Sequence, residues 1–335
     1  MKKFLLSAIF ISLAALSFIG CDKKSDSTVK TQGTDSRHTI KVGYVQVGHE
    51  SAWRNANTLS FKSTFTADSG YEFLFVDADG SQKVQFDAIR NFIAQNVDYI
   101  VLAPVVETGW DDILKEVREA GIPVILSDRQ IKVSDESLYL CWVGADFLQE
   151  GKNAVKWLTA YLENKNLGTE EINIVHLQGT MGASAQVGRT QGLMDGIASY
   201  PNWNLAAQKS GNFTTEGGKK AMQEIIKSVG INKINVLYSE NDDMTLGALE
   251  AIKEAGKAPG NDIIIISFDA VYKAFMKIIT GEINCECECN PLHGPRVGEI
   301  IRTLESGKPV EKIQYVNESV FDHTNAQAVM LTRRY

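Results

Sequence analysis

From Thr39 onward, short runs rich in β-branched residues alternate with longer stretches of helical character, and this alternation restricts the folds that the chain can adopt. Buried strands are predicted for TIKVGYVQVG, YEFLFVDA, YIVLAP and PVILSD. Helices are predicted between them over residues 51–69, 83–95 and 110–120. Strands and helices that alternate in this order form a parallel sheet covered by helices on both faces.

A second series of the same kind begins after LYLCWVGAD. Its predicted strands are EINIVHLQG, INVLYSEND and IIIISFDA, and its predicted helices cover residues 186–199, 214–228 and 244–255. Asp146 is a good N-cap for a further helix that runs through residue 162, and Asp242 or Asp243 is expected to cap the last helix. The sequence therefore predicts an α/β protein with two doubly wound lobes, a division that suits a chain of this length.

The N-terminus has the pattern of a bacterial lipoprotein export signal. A short basic segment precedes an apolar run at residues 4–19, and Cys21 follows directly after a glycine. This pattern predicts a signal peptide over residues 1–20, acylation of Cys21 and a flexible linker over residues 21–38. An uncleaved membrane anchor is the alternative, but the apolar run is shorter than the roughly 20 residues of a membrane span. We expect a periplasmic or cell-envelope protein that is lipid-anchored to the inner membrane, the location that Asp22 after the acylated cysteine favours in enteric bacteria.

Composition and motifs argue against several classes of function. A net charge of −7 argues against a surface that binds nucleic acid. The chain has no GxSxG motif, no HExxH motif and no P-loop, so no catalytic residue and no cofactor is predicted. Four cysteines remain besides Cys21, and the cell envelope permits disulfides between them without requiring any. The expected partner is a small molecule.

The residues that follow the predicted strands indicate the chemistry of this small molecule. In doubly wound sheets, ligands bind beyond the carboxyl ends of the strands. Carboxylates, arginines and asparagines gather there together with the aromatic residues Trp53 and Phe213. Each sugar hydroxyl donates and accepts hydrogen bonds, so planar polar side chains match a pair of neighbouring hydroxyls, and aromatic faces suit the C–H groups of the ring. The pattern favours a sugar.

Each of these residues also has a purely structural interpretation. Asp128 and Arg129 could form a solvated turn, and Trp53 could pack in the core. The CECECN run, if it is a strand, places its cysteines on one face and can direct Glu288 towards the cleft. No further Cys or His cluster completes a metal site, so none is predicted. A disulfide between the first and last cysteines of this run would need a sharp bend, since four residues of strand span about 13 Å.

Several longer motifs carry a resemblance to a known family. They are VGYVQVGHESAWRNA, FIAQNVDYIVLAPVVETGWDDILKEVREAGIPVILSDRQI, LQGTMGASAQVGRTQG, NDDMTLGALEAIKEAG and SFDAVYKAF. In this order and spacing they resemble the periplasmic sugar-binding components of ABC importers in the ribose-binding-like superfamily, and they are most similar to galactofuranose-binding proteins. The resemblance covers about residues 39–335.

The resemblance implies the fold of a type I periplasmic binding protein. In this fold two Rossmann-like lobes, each a parallel sheet with helices on both faces, are joined by three hinge crossings. Carried over by order, the crossings fall near Ala145, Glu288 and Val316. The N-terminal lobe would comprise residues 39–145 and 289–316, and the C-terminal lobe residues 146–288 and 317–335.

The resemblance also implies sugar-binding residues and a function. The matching positions are Glu50, Trp53, Arg54, Asp128, Arg129, Arg189, Phe213, Asn241, Asp269 and Glu288. Ribose binders usually carry Asn and stacked Phe residues where this chain has Glu50, Trp53 and Arg54, and this difference favours galactofuranose over ribose. The implied function is to capture a monosaccharide between two closing lobes and deliver it to the subunits of an ABC permease. We expect a monomer that binds no nucleic acid and is not an enzyme.

Three other functions are weighed against import. A sensor that passes the sugar signal to a chemoreceptor or a histidine kinase would use the same cleft, and it is the main alternative. A gene repressor is disfavoured by the export signal and by the lack of a helix-turn-helix before Thr39. An enzyme is disfavoured because no nucleophile and base are suggested by motif.

Overall fold

Two six-stranded sheets form the framework of the protein in a computed structural model that describes residues 38–335. The first series of elements is β1 (Ile40–Gln46), α1 (Ala52–Thr64), β2 (Tyr71–Asp77), α2 (Gln82–Ala94), β3 (Tyr99–Leu102), α3 (Asp111–Glu119), β4 (Val124–Ser127) and β5 (Cys141–Gly144). The second series is α4 (Phe147–Asn164), β6 (Ile172–Gln178), α5 (Ser184–Ser199), β7 (Trp203–Ser210), α6 (Thr215–Val229), β8 (Val236–Ser239), α7 (Asp242–Glu254), β9 (Ile264–Asp269), α8 (Tyr272–Ile279) and β10 (Cys285–Glu288). The last elements are α9 (Gly294–Glu305), β11 (Ile313–Tyr315), β12 (Val320–Phe321) and α10 (Ala326–Val329).

The two sheets have matching strand orders. The order is β11-β5-β4-β3-β1-β2 in the first sheet and β12-β10-β9-β8-β6-β7 in the second. All neighbouring strands are parallel except β12, which pairs antiparallel with β10. We call each sheet with its helices a lobe. The predicted fold class, two Rossmann-like α/β lobes, is confirmed, with the correction that this one short edge strand is antiparallel.

The chain passes between the two sheets three times. The first crossing covers residues 145–146, the second covers residues 289–293 and the third covers residues 316–319. Strand β11 pairs with β5, and α9 packs against α1, so both return to the first lobe. Strand β12 pairs with β10 in the second lobe.

The central elements follow directly from the sequence. All four residues of β3 and of β4 are buried, because helices cover both faces of a parallel sheet. Helices begin at residues whose side chains accept a backbone N–H of the first turn, among them Ser51, Asp146 and Thr214. The predicted cap at Asp146 is confirmed.

Three local predictions differ from the structure. The predicted helix over residues 51–69 is two elements, since α1 ends at Thr64 and a separate 3-10 turn follows it. Asn241 caps α7 instead of Asp242 or Asp243, because its side-chain oxygen accepts the backbone N–H three residues later. Strand β7 has no counterpart among the predicted strands, because it lies at the sheet edge and only one of its eight residues is buried.

The predicted signal peptide and Cys21 lie outside the described residues and stay predictions. Within residues 38–335, no helix combines the length and the apolar character that a membrane span requires. The four cysteines of this part of the chain are buried free thiols.

Candidate functional site

A cleft between the lobes brings most of the predicted ligand residues together. The space between its walls amounts to about 310 Å³, part of which is open to solvent. Nine predicted residues line it, namely Glu50, Trp53, Arg54, Asp128, Arg129, Arg189, Phe213, Asn241 and Asp269. The sequence did not single out the other lining residues, which are Ser51, Phe147, Ala185 and Cys289. Most of the lining residues lie just beyond strand ends or in the first turn of the following helix, as the doubly wound topology requires.

The wall from the first lobe is a buried network of two arginines and two carboxylates. Arg54 Nη2 lies 2.7 Å from Asp128 Oδ2, and Arg54 Nε donates to Glu50 Oε1 at 3.1 Å. Arg129 Nη2 lies 3.7 Å from the same Glu50 oxygen, and Arg129 Nη1 donates to the carbonyl of Val105 at 2.8 Å. The alternative interpretation of Asp128 and Arg129 as a solvated turn is therefore excluded in this conformation, because the two residues are 4% and 2% exposed.

Burial and neighbouring charges set the protonation of this network. Burial raises the pKa of Glu50, but the guanidinium groups of Arg54 and Arg129 outweigh it, so the pKa lies below its ordinary value. Burial and the adjacent Arg54 lower the pKa of Arg129 to about 10. At neutral pH the first-lobe wall thus offers charged donors and a charged acceptor to a ligand.

Arg189 is the centre of the wall from the second lobe. Its Nε atom donates to Glu150 Oε2 at 2.6 Å, and its Nη2 atom donates to Asp269 Oδ1 at 3.3 Å. The guanidinium also lies over the ring of Phe147, with its carbon 5.4 Å from the ring centroid. Burial raises the pKa of Asp269 well above its ordinary value, although Arg189 opposes this shift. The carboxylate of Glu150 thus holds Arg189 in place at the cleft.

Two buried aromatic side chains complete the cleft, one from each lobe. Trp53 Nε1 donates to the carbonyl of Cys289 at 2.7 Å, which ties α1 to the second crossing. Phe213 lies opposite Arg129, whose guanidinium carbon is 5.4 Å from the ring centroid. Asn241 holds the Phe213 backbone, because its Nδ2 atom donates to the Phe213 carbonyl at 3.1 Å. Trp53 and Asn241 therefore stabilise the folded structure through these hydrogen bonds and also line the cleft.

The structure places Glu288 apart from the other predicted ligand residues. Its Oε1 atom accepts hydrogen bonds from Arg333 Nη1 and from the Tyr335 hydroxyl, both at 2.6 Å. The next residue, Cys289, lines the cleft instead. The first four residues of CECECN do form a strand, the condition on which Glu288 is expected to face the cleft, but this strand ends at Glu288 and the next residue lines the cleft.

The lobes contact each other directly across the cleft. The backbone N–H of Ala52 donates to Asp243 Oδ2 at 2.9 Å, and the N–H of Gln130 donates to Ser184 Oγ at 2.9 Å. With these contacts, Trp53 and Phe213 are only 4% and 5% exposed. The structure is therefore a closed form of the cleft.

The sequence matches those of known binding proteins. The periplasmic binding protein domain family matches residues 42–285. The chain belongs to the periplasmic binding protein family. It is 39% identical over 284 residues to the galactofuranose-binding protein YtfQ of Escherichia coli strain K12, a match that covers 84% of this chain and 87% of that protein. The resemblance inferred from the motifs is confirmed.

Solved structures of similar chains share the fold of this periplasmic binding protein. A Mycobacterium smegmatis structure in complex with β-D-fucofuranose has a TM-score of 0.82 at 42% identity and covers 87% of this chain and 93% of its own. The binding component of the arabinose ABC transporter of Shewanella sp. ANA-3, bound to α- and β-L-arabinofuranose, has a TM-score of 0.82 at 39% identity and covers 88% and 96%. The names of YtfQ and of the Shewanella protein agree with the prediction of a binding protein rather than an enzyme.

Proposed function

We propose that this protein captures a monosaccharide in its furanose form, galactofuranose or a related aldose, and delivers it to an ABC permease. The observation that carries the proposal is the closed cleft, in which charged and aromatic side chains of both lobes face one small space. Similar chains solved with β-D-fucofuranose and L-arabinofuranose support the furanose ring form.

The chemistry of the cleft suits a sugar with several neighbouring hydroxyls. Asp128 and Arg129 offer an acceptor and a planar donor from the first lobe, and Arg189 and Asn241 offer donors from the second. Hydrogen bonds to charged groups contribute about 1.5–3 kcal/mol each. The proposed lobes that close on the sugar comprise residues 39–145 with 289–316, and residues 146–288 with 317–335.

Sugars with a locked ring test the proposal, because free aldoses interconvert between furanose and pyranose forms. We expect calorimetric titration of the purified protein to show binding of galactose, fucose or arabinose. Among analogues without an anomeric hydroxyl, 1,4-anhydrogalactitol keeps the furanose ring and 1,5-anhydrogalactitol keeps the pyranose ring. The furanose analogue is expected to bind more tightly. Tighter binding of the pyranose analogue would contradict the proposed ring form, and no binding of any sugar would contradict the function.

Delivery to a permease is tested by uptake in cells. Deletion of the gene should abolish high-affinity uptake of the labelled sugar, and a plasmid copy should restore it. Normal uptake in the deletion strain would favour a sensor over an importer.

Lipid anchoring at Cys21 is part of the same proposal, because an anchor keeps the binding protein near the permease. Cells grown with an alkynyl fatty acid should incorporate the label into the wild-type protein. The variant Cys21→Ala should carry no label and should appear in the soluble fraction. Equal labelling of both proteins would exclude acylation at this cysteine.

A further inference from the structure

Three side chains that can ligate metals meet where the chain passes between the lobes. Glu150 lies in the first turn of α4, just after the first crossing, and Cys289 begins the second crossing. Glu318 lies in the third crossing. One carboxylate oxygen of each glutamate and the Cys289 sulfur all lie within 4.8 Å of one another. The cluster thus draws one member from the first turn of α4 and one from each of the second and third crossings.

One oxygen atom of the Glu150 carboxylate has no hydrogen-bond partner within residues 38–335. The residue is 3% exposed. Its Oε2 atom accepts a hydrogen bond from Arg189 at 2.6 Å, whereas Oε1 has no hydrogen-bond partner among the described residues. A buried carboxylate oxygen without a hydrogen-bond donor destabilises the folded state. A cation or a proton bound at this atom would remove that cost.

The cluster borders a second pocket that shares no lining residue with the ligand cleft. This pocket has a volume of about 510 Å³, part of which is open to solvent, and it is lined by Asp146, Glu150, Glu288 and Glu318 among others. Its carboxylates create a negative potential that attracts cations, and its opening gives them a path.

We propose that Glu150, Cys289 and Glu318 form a site for a divalent cation of the Zn²⁺ class. A thiolate together with carboxylates favours Zn²⁺, whereas Mg²⁺ and Ca²⁺ prefer oxygen ligands alone. Zn–O and Zn–S bonds of about 2.0 and 2.3 Å allow one ion to reach the three atoms after small side-chain rotations. Binding releases the thiol proton of Cys289 and any proton on the carboxylates. The ion would tie the start of α4 to the second and third crossings.

The test is calorimetric titration of the purified, reduced protein with Zn²⁺ alone. We expect one ion per chain, and at least tenfold weaker binding by Cys289→Ser and by Glu318→Gln. Cys287→Ser is the matched control, because Cys287 is a buried cysteine of β10 that lines the second pocket but does not belong to the cluster. Co²⁺ in place of Zn²⁺ should give a sulfur-to-metal charge-transfer band in the wild type and in Cys287→Ser, and none in Cys289→Ser.

Two results would overturn the site. One is the absence of saturable Zn²⁺ binding by the wild type, which would leave the carboxylates to share a proton. The other is equal Zn²⁺ affinity of the wild type, Cys289→Ser and Glu318→Gln. Circular dichroism shows whether each variant folds. If Cys289→Ser does not fold, the Zn²⁺ affinity of Glu318→Gln alone tests the site, because Glu318 is only partly buried and its substitution disturbs the fold less. Sugar titrations are made without zinc, so this inference and the proposed sugar function can fail independently.

Discussion

At the scale of single residues, strained backbone directs side chains into the cleft. Asp128, Phe213 and Asp269 have positive φ angles of 66°, 63° and 106°, and all three line the cleft. Such conformations cost roughly 1–3 kcal/mol each in residues other than glycine, and they persist where the surrounding structure holds them. The sequence places Asp128 and Asp269 at strand ends, but it predicts neither strand β7, which precedes Phe213, nor this strain.

The first prediction concerns the paired charges at the end of β4. Asp128→Ala, Arg129→Ala and Arg129→Lys should each weaken sugar binding by roughly 10- to 100-fold, because each removes about 1.5–3 kcal/mol of charged hydrogen bonding. Lysine should fail because an ammonium cannot replace the planar fork of arginine. Calorimetric titration measures the affinities.

Arg90→Lys is the control for this series, because Arg90 makes a paired contact with Glu116 on the exposed surface. Its sugar affinity should equal that of the wild type. Wild-type affinity in all three cleft variants would show that Asp128 and Arg129 stabilise the folded protein but do not bind the sugar.

The second prediction concerns His293 at the end of the second crossing. The ring is 1% exposed, and its Nδ1 atom lies 3.0 Å from Ser127 Oγ. Burial and the Arg54 charge lower the pKa of His293 to about 4, although Asp128 opposes this shift. Between pH 6.5 and 4 the unfolded chain therefore binds the proton more readily, and the folded state loses stability as the pH falls.

The part of this loss in unfolding free energy that is due to His293 should reach about 3 kcal/mol at pH 4. Urea unfolding at a series of pH values measures it, and the variant His293→Gln shows the contribution of all other groups. The wild type should lose more stability than the variant over this range. Parallel pH profiles for the two proteins would mean that His293 is not held neutral in the folded state.

At the scale of elements, glycines allow α4 and α5 to pack closely. A Cβ atom on Gly192 would lie 2.7 Å from the backbone of Gly151. This contact matters for the site, because Glu150 in α4 holds Arg189 in α5. The position of Arg189 at the cleft therefore depends on helix packing behind it.

The third prediction follows from this contact. Gly192→Ala should lower the free energy of unfolding by about 1–3 kcal/mol, the usual effect of overpacking, and should also weaken sugar binding. Gly168→Ala is the control, because a Cβ there would be no closer than 3.7 Å to its neighbours. Urea unfolding and calorimetry measure the two effects. Unchanged stability and affinity in Gly192→Ala would contradict the role of this packing.

Some strands and site residues could be predicted from the sequence, and others could not. Strands β3 and β4 could be predicted because they are buried on both faces and read as continuous apolar runs. Nine of the ten predicted ligand residues converge because the topology brings strand ends together. Glu288 could not be placed, because alternation along a strand does not show where the strand ends. The contact of Cys289 with Trp53 at the cleft could not be predicted either, because it is made by the backbone carbonyl of Cys289 and not by its side chain.

At the scale of the whole molecule, direct hydrogen bonds join the lobes around the cleft. Backbone N–H groups of the first lobe donate to the side chains of Asp243 and Ser184 and to the carbonyl of Gly182 in the second lobe. A sugar that contacts both lobes in this closed form would favour it over an open form, because a ligand shifts the equilibrium towards the state it binds more tightly. The crossings would then act as the hinge of this motion.

Small-angle X-ray scattering of the purified protein tests most directly whether one sugar is held by both lobes. We expect a larger radius of gyration without ligand than with a saturating furanose, and a ligand-bound scattering curve that matches the closed structure. Calorimetry on the same sample establishes that the sugar is bound. An unchanged scattering curve at saturation would contradict the account, because a sugar could then bind without bringing the two lobes together.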